Sequence, residues 1–349
     1  MSRESCVRDS YGFPLAGMTD AEQRAREESQ ARAKSQVNAW LKKIRGEDVY
    51  NVYKERKKLK ELVRRGIPPE LRPEIWFILS GAKLRRTGQS GYYRQLCKGE
   101  KCPVALFEDG SDIKGKFRNQ PAFKNGEGFA VVTRLVGAFL NHNAEIGYVP
   151  GFAAVAAFLL VVYGLHREED VFWVLVSLVE ERLFNGVEEQ LFFWSKVQEG
   201  VLGELAAKKV PKVYQHLHKL GSSVEALTGQ WFSSLFVLSL PSETVARVWD
   251  CLFCEGPKVL LRVALTLMKK CESAITLTGD VERMSQILTW KLRRTFDANE
   301  LMMLSFKRLG SMKSSEISAI SCQMERVVER KLEERARFLA EAFGHWEVC

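Results

Sequence analysis

The chain has 349 residues, 46% of them hydrophobic, and a formal net charge of +9, which is enough apolar surface for one large or two ordinary cores. The N-terminus, Met-Ser-Arg-Glu-Ser-Cys-Val-Arg-Asp, lacks the apolar core of a signal peptide, and the longest purely apolar run, Phe152 to Tyr163, has 12 residues, too short to span a bilayer as a helix. The 8 cysteines have no regular spacing and read as reduced thiols of a cytoplasmic protein, not as a disulfide framework.

Residues 1–19, with Gly12, Pro14 and Gly17 and no periodic pattern, read as a poorly ordered N-terminus. Thr19-Asp-Ala-Glu22 has the form of a capping box and predicts a helix to about Arg45, with its apolar positions gathered at Val37, Trp40, Leu41 and Ile44. A second helix is predicted from about Asp48 to Arg64, stopped by Gly66. Residues 20–64 thus form a basic helical extension. The first 65 residues hold 16 Lys/Arg against 10 Asp/Glu, densest at Lys54-Glu-Arg-Lys-Lys-Leu-Lys60. Such a run is the solvated face of a helix or, alternatively, a weak contact with acidic lipid headgroups. No stacking aromatics interleave with it, so nucleic acid is not an expected partner.

Ile67-Pro-Pro-Glu70 restarts a helix with proline in its first turn, where the missing N–H costs nothing. Residues 86–128 are glycine-rich, polar and loop-like. Beyond them Phe129, Val132, Val136, Phe139 and Leu140 recur at helical spacing, as do Val171, Leu175, Leu178 and Val179. At the C-terminus, Ile317, Ile320, Met324, Val327, Val328, Lys331, Leu332 and then Phe338 trace one stripe of an amphipathic helix. Alternating strand patterns are absent, so the fold class is all-α. Cys251-Leu-Phe-Cys254 has the spacing of a zinc half-site, but no second pair follows, and the reading is two helix cysteines one turn apart. Neither a metal nor a cofactor is expected.

Four segments in order resemble the TBC domain, the catalytic domain of GTPase-activating proteins for Rab GTPases. Arg65-Gly-Ile-Pro-Pro-Glu-Leu-Arg-Pro-Glu-Ile-Trp76 is similar to the family's R-x-G-I-P-x-x-L-R-x-x-x-W. Asn143-Ala-Glu-Ile-Gly-Tyr-Val-Pro-Gly151 is similar to N-P-E-I-G-Y-x-Q-G. Glu168-Glu-Asp-Val-Phe-Trp173 is similar to E-E-D-A-F-W. Leu240-Pro-Ser-Glu-Thr-Val-Ala-Arg-Val-Trp-Asp250 completes the set. The resemblance implies an all-helical, two-lobed domain over residues 65–349, with a finger-bearing lobe at about 65–180, a helical lobe at about 181–349 and a Rab-binding groove between them.

It also implies a chemistry. A GTPase-activating protein speeds hydrolysis by inserting an arginine beside the transferred phosphate, worth about 10³–10⁵ in rate. The family adds a glutamine from Y-x-Q-G that positions water. In this chain the glutamine position is Pro150, which has no side-chain donor or acceptor and no backbone N–H. The arginine motif, I-x-x-D-x-x-R in the family, is degenerate in Ile113-Lys-Gly-Lys-Phe-Arg118: Lys116 replaces the acidic residue, where it is expected to repel Arg118, and Arg118 comes one residue early. Gln120 is a remote substitute for the missing amide. Asn143, Glu145, Gly147, Tyr148 and Gly151 are candidates for the loop framework or for partner contact.

Three readings follow from the resemblance. The first is a protein that binds a GTP-bound Rab without accelerating hydrolysis, as an effector or scaffold. The second is an active Rab GTPase-activating protein using Arg118, with the Rab supplying its own glutamine. The third is a helical scaffold that binds no GTPase. In the first two, GTP and magnesium belong to the partner, and the protein is cytoplasmic and brought to membranes by the Rab.

Overall fold

The computed structural model of the protein describes residues 7–15, 17–45, 56–99, 111–184 and 190–343. Among them every regular element is helical, as the 3–4 spacing predicts. The only paired extended backbone there is an isolated bridge between Arg8 and Pro14. No helix of the described residues is long and apolar enough to cross a membrane.

The capping box forms as written. Thr19 Oγ1 accepts from the Glu22 N–H at 3.3 Å, and the Glu22 carboxylate accepts from the Thr19 N–H at 2.8 Å. The helix it opens ends earlier than the sequence suggests: Asp20–Ser35 stops at Gln36 and Val37–Arg45 follows as a separate piece. The second piece carries Trp40 into the core, 1% exposed, with its indole N–H donating to the Gly66 carbonyl at 2.9 Å. Of the helix predicted from residue 48, the described part is Arg56–Arg65; residues 46–55 lie outside the described residues. Its Leu59 and Val63 are buried, and it packs along the Ser242–Glu255 helix, so this part of the basic extension lies against the rest of the fold.

The first and last of the four motif segments meet in one aromatic cluster. Trp76, on the Arg72–Ser80 helix, lies 5.8 Å from Trp249 and 5.1 Å from Phe253, both on the 242–255 helix. Phe158 meets Trp249 edge-on at 5.1 Å. Phe158 belongs to Phe152–Tyr163, the apolar run, which is buried from Phe152 to Leu160 on every side. That is the expected fate of a helix without a polar face. The Glu168–Ser177 helix packs beside it, carrying Trp173.

The C-terminal Ser314–Phe343 helix seats Ile320, Met324 and Val328 on the Leu191–Lys209 helix. Its predicted stripe stops being covered after Leu332: from residue 333 to 341 every side chain is exposed.

The largest departure from the sequence reading is at the N-terminus. Residues 7–15, expected to be poorly ordered, form a strap on the domain surface. Asp9 Oδ1 accepts from the backbone N–H groups of Tyr11 at 2.9 Å and Phe13 at 2.8 Å, closing a turn. The turn drives two aromatics inward: Tyr11 meets Phe158 edge-on at 5.8 Å, and Phe13 meets Phe117 at 5.4 Å. An Asp turn with two aromatics at alternate positions has no helical period, so a period search passes over it.

Candidate functional site

The site rests on a buried ionic framework that joins the first motif segment to the last. Asp250 is fully buried. Its carboxylate accepts from Arg72 Nε at 2.9 Å, from the Trp76 indole at 2.9 Å and from the Ile67 N–H at 3.2 Å. Arg72 also donates to the Tyr11 hydroxyl, bringing the strap into the same network. Arg247, one turn before Asp250, caps the end of the 56–65 helix by donating to the carbonyls of Val63 at 3.2 Å and Arg64 at 2.6 Å. A buried charge survives only when its lone pairs are filled this fully.

The third motif segment is a second ionic hub. Arg134 donates to Glu168 from Nε at 2.7 Å, Tyr93 donates to the same carboxylate, and Asp170 accepts from Arg86 and from Arg167 at 2.7 Å. Glu180, which follows it, is held down to about 2: burial opposes this, but bonds from His142 and Arg85 overcome it.

The 143–151 loop is fixed by its backbone. Asn143 ends the Glu127–His142 helix, and its Oδ1 accepts from the Glu145 N–H at 3.2 Å. Glu145 is exposed. Ile146 and Val149 point into the core, and the Ile146 carbonyl accepts from the Leu191 N–H at 3.0 Å. Tyr148 is half-buried, edge-on to Phe152 at 6.5 Å. Gly147 turns the chain with φ 67°.

Pro150 is exposed and does not begin the helix, which starts at Phe152. It occupies the second position of a tight turn, in which the Val149 carbonyl accepts from the Phe152 N–H at 3.1 Å. Gly151 follows at φ 97° and ψ −19°. With proline before it, that geometry defines a type II turn, the turn for which Pro-Gly is the favoured pair. A Cβ on Gly151 would lie 3.1 Å from Ser234 Cβ and 3.2 Å from Ser234 N, so glycine is required twice over. The chain behind it is itself strained: Leu235 and Phe236, both buried, adopt φ 46° and 66°.

The 111–123 region is less of a loop than its composition suggests. Ser111–Phe117 is helical and packs against the 152–163 helix, so the stretch leading to Arg118 lies beside the helix that follows Pro150. Arg118 itself is exposed, and its guanidinium has no partner among the described residues. Lys116 does not face it. The Lys116 ammonium donates to the Leu240 carbonyl at 2.7 Å, and its charged neighbours are Asp9 and Arg293. The expected repulsion of Arg118 is therefore absent; the cation that opposes Lys116 is Arg293.

Burial pushes the Lys116 ammonium down to about 7, with Arg293 adding to the fall and Asp9 resisting it. Burial pushes the Asp9 carboxyl up. Both groups line a cavity of about 390 Å³ walled by the strap, by Gly115 and by Leu238 to Ser242. Gln120 is buried and its amide is already engaged, donating to the Tyr11 carbonyl at 3.1 Å and accepting from the Ala122 N–H at 2.6 Å. It offers no free group.

Cys251 and Cys254 lie one turn apart on the 242–255 helix, and burial pushes the Cys251 thiol well up. No cluster of three metal-ligating side chains occurs among the described residues.

The model of the RabGAP-TBC family, the Rab-GTPase-TBC domain, matches residues 69–276, and the chain is a member of that family. It is 36% identical over 220 residues to growth hormone-regulated TBC protein 1 of Homo sapiens, a match covering 62% of this chain and 65% of that protein. A Danio rerio protein, growth hormone-regulated TBC protein 1-A, is 30% identical over 273 residues, covering 76% of each chain. Among solved structures, the Chlamydomonas flagellar RabGAP TBC domain superposes with a TM-score of 0.76 at 31% identity, over 87% of this chain and 100% of that one.

The sequence reading missed Arg8, Tyr11 and Phe13. Arg72 and Asp250 were within the quoted motifs, but their spacing of 178 positions carried no sign that they pair.

Proposed function

We propose that the protein binds a GTP-loaded Rab GTPase through its TBC domain and does not accelerate hydrolysis, so that it serves as an effector or scaffold. Family membership supports the Rab as partner. The observation that carries the rest is the turn at Pro150. The position from which the family extends a glutamine is here the second residue of a Pro-Gly type II turn, locked onto the 233–236 segment and without any hydrogen-bonding side chain. Water positioning by that residue is chemically closed.

Arg118 favours a second reading: an exposed, unpartnered guanidinium on a fixed loop is what an arginine finger needs. The protein would then be a Rab GTPase-activating protein in which the Rab supplies its own glutamine. The first reading is preferred because Lys116, at the position of the family's acidic residue, is turned to the Leu240 carbonyl and gives Arg118 no side-chain brace.

GTP and magnesium would be held by the partner. The basic 56–65 helix would add at most a weak contact to an acidic membrane, since Lys60 and Arg64 already face Glu255. The test is binding of the full chain to a Rab panel loaded with GTP analogue or GDP. Selective retention of one or more GTP-loaded Rabs supports the proposal; equal or absent binding across the panel refutes it.

A further inference from the structure

We propose that residues 8–13 present the Arg118 loop to the GTPase, with Arg8 and Gln120 as positioning residues that hold Arg118 outward. The inference rests on the proposed Rab binding and adds to it the means by which the exposed arginine is oriented.

The contacts on either side of Arg118 carry the argument. Before it, Phe117 is fully buried beneath Phe13. After it, the Asn119 carbonyl accepts from Arg8 NH1 at 2.7 Å, and the same nitrogen donates to the Gly12 carbonyl. One guanidinium thus ties the strap turn to the loop. Gln120 then donates to the Tyr11 carbonyl. Pro121 lies so close to Gly12 that an added Cβ would come within 2.9 Å of its Cδ. Residues 117, 119, 120 and 121 are all held by the strap, and between them Arg118 is exposed with no partner for its guanidinium among the described residues.

The strap is itself anchored at points independent of the loop. Tyr11 reaches the Arg72–Asp250 network. Ser10 donates to Glu243 from its backbone N–H at 2.9 Å and its hydroxyl at 2.8 Å, and Glu243 also accepts from Arg26 at 2.7 Å and Gln30 at 2.7 Å. A loop braced by a strap that is braced by the core has its exposed side chain preorganised, which lowers the ordering cost of binding.

Four chains test this: wild type, Arg8→Ala, Arg118→Ala and the double variant, with Arg8→Lys as the rescue. Arg8 is only partly buried, so its removal leaves the core intact. In the free protein, hydrogen exchange at the amides of Arg118, Gln120 and Phe123 should quicken about 10-fold in Arg8→Ala while the melting temperature moves by no more than about 2 °C. Against a GTP-loaded Rab that binds the wild type, Arg118→Ala should weaken affinity about 10-fold and Arg8→Ala about 3-fold, with the double variant no weaker than Arg118→Ala alone. Arg8→Lys should recover most of the loss.

Additive losses in the double variant, or exchange unchanged by Arg8→Ala, would overturn the proposal. If the wild type binds no Rab, the proposed function falls and the presenting role falls with it. Faster exchange would then still establish the clamp as a feature of the fold. Binding that survives Arg118→Ala undiminished would overturn the presenting role alone.

Discussion

Asp250 and Arg118 stand at opposite extremes of one domain. Asp250 is fully buried and accepts from three separate donors, two of them side chains of the first motif segment. Arg118 is exposed, and only its backbone is tied down. Removing a partner from the first arrangement leaves a charge stranded in the core, whereas changing the second alters no packing. The fold thus depends on residues like Asp250, and the surface around Arg118 and Pro150 is free to change its chemistry while the fold stays put.

The contrast is sharpest in stability. Asp250→Ala strands Arg72 and frees the Trp76 indole, and should cost about 3–5 kcal/mol in denaturant unfolding. A loss below about 1 kcal/mol would mean that the network is not the framework described. Gly151→Ala comes next, at about 2 kcal/mol, because its Cβ must fit against Ser234 in a left-handed conformation. Melting of this variant alongside Gly147→Ala, where no atom lies within 4 Å of the added Cβ, separates crowding from backbone strain.

Lys116 should give a smaller effect whose size depends on pH. Its pKa is depressed to about 7 in the folded chain from 10.5, so between those values the unfolded chain holds the extra proton. The penalty on folding is complete below pH 7 and fades as pH rises toward 10.5. Lys116→Met should therefore be more stable than wild type at pH 6, by about 1–2 kcal/mol after allowing for solvent around the amine. The difference should shrink steadily at alkaline pH; a difference flat across that range would contradict the burial assigned to Lys116. At the far end, Arg118→Ala should leave unfolding within about 0.5 kcal/mol of wild type.

How much of this the sequence revealed follows the same division. Helical period and capping chemistry are local, so the all-α fold, the Thr19 box and the buried 152–163 helix were legible from residue spacing. Motif order was enough to identify the family. The Arg72–Asp250 pairing joins positions far apart in the chain, which no local pattern reports. The strap was misread for another reason: its order comes from one aspartate turn and two aromatic anchors, which a search for periodicity scores as coil. Lys116 was assigned the wrong opponent because charge along a segment says nothing of where a side chain points. The pair Pro150-Gly151 already spelled a type II turn.

The central claim is that the domain recognises a Rab without hastening its hydrolysis. Single-turnover GTP hydrolysis by a bound Rab, with and without a stoichiometric excess of the full chain, tests it most directly. The same rate is expected in both, on a Rab retained selectively in its GTP form. Acceleration of about 10²-fold or more that disappears in Arg118→Ala would contradict it and make Arg118 a working finger.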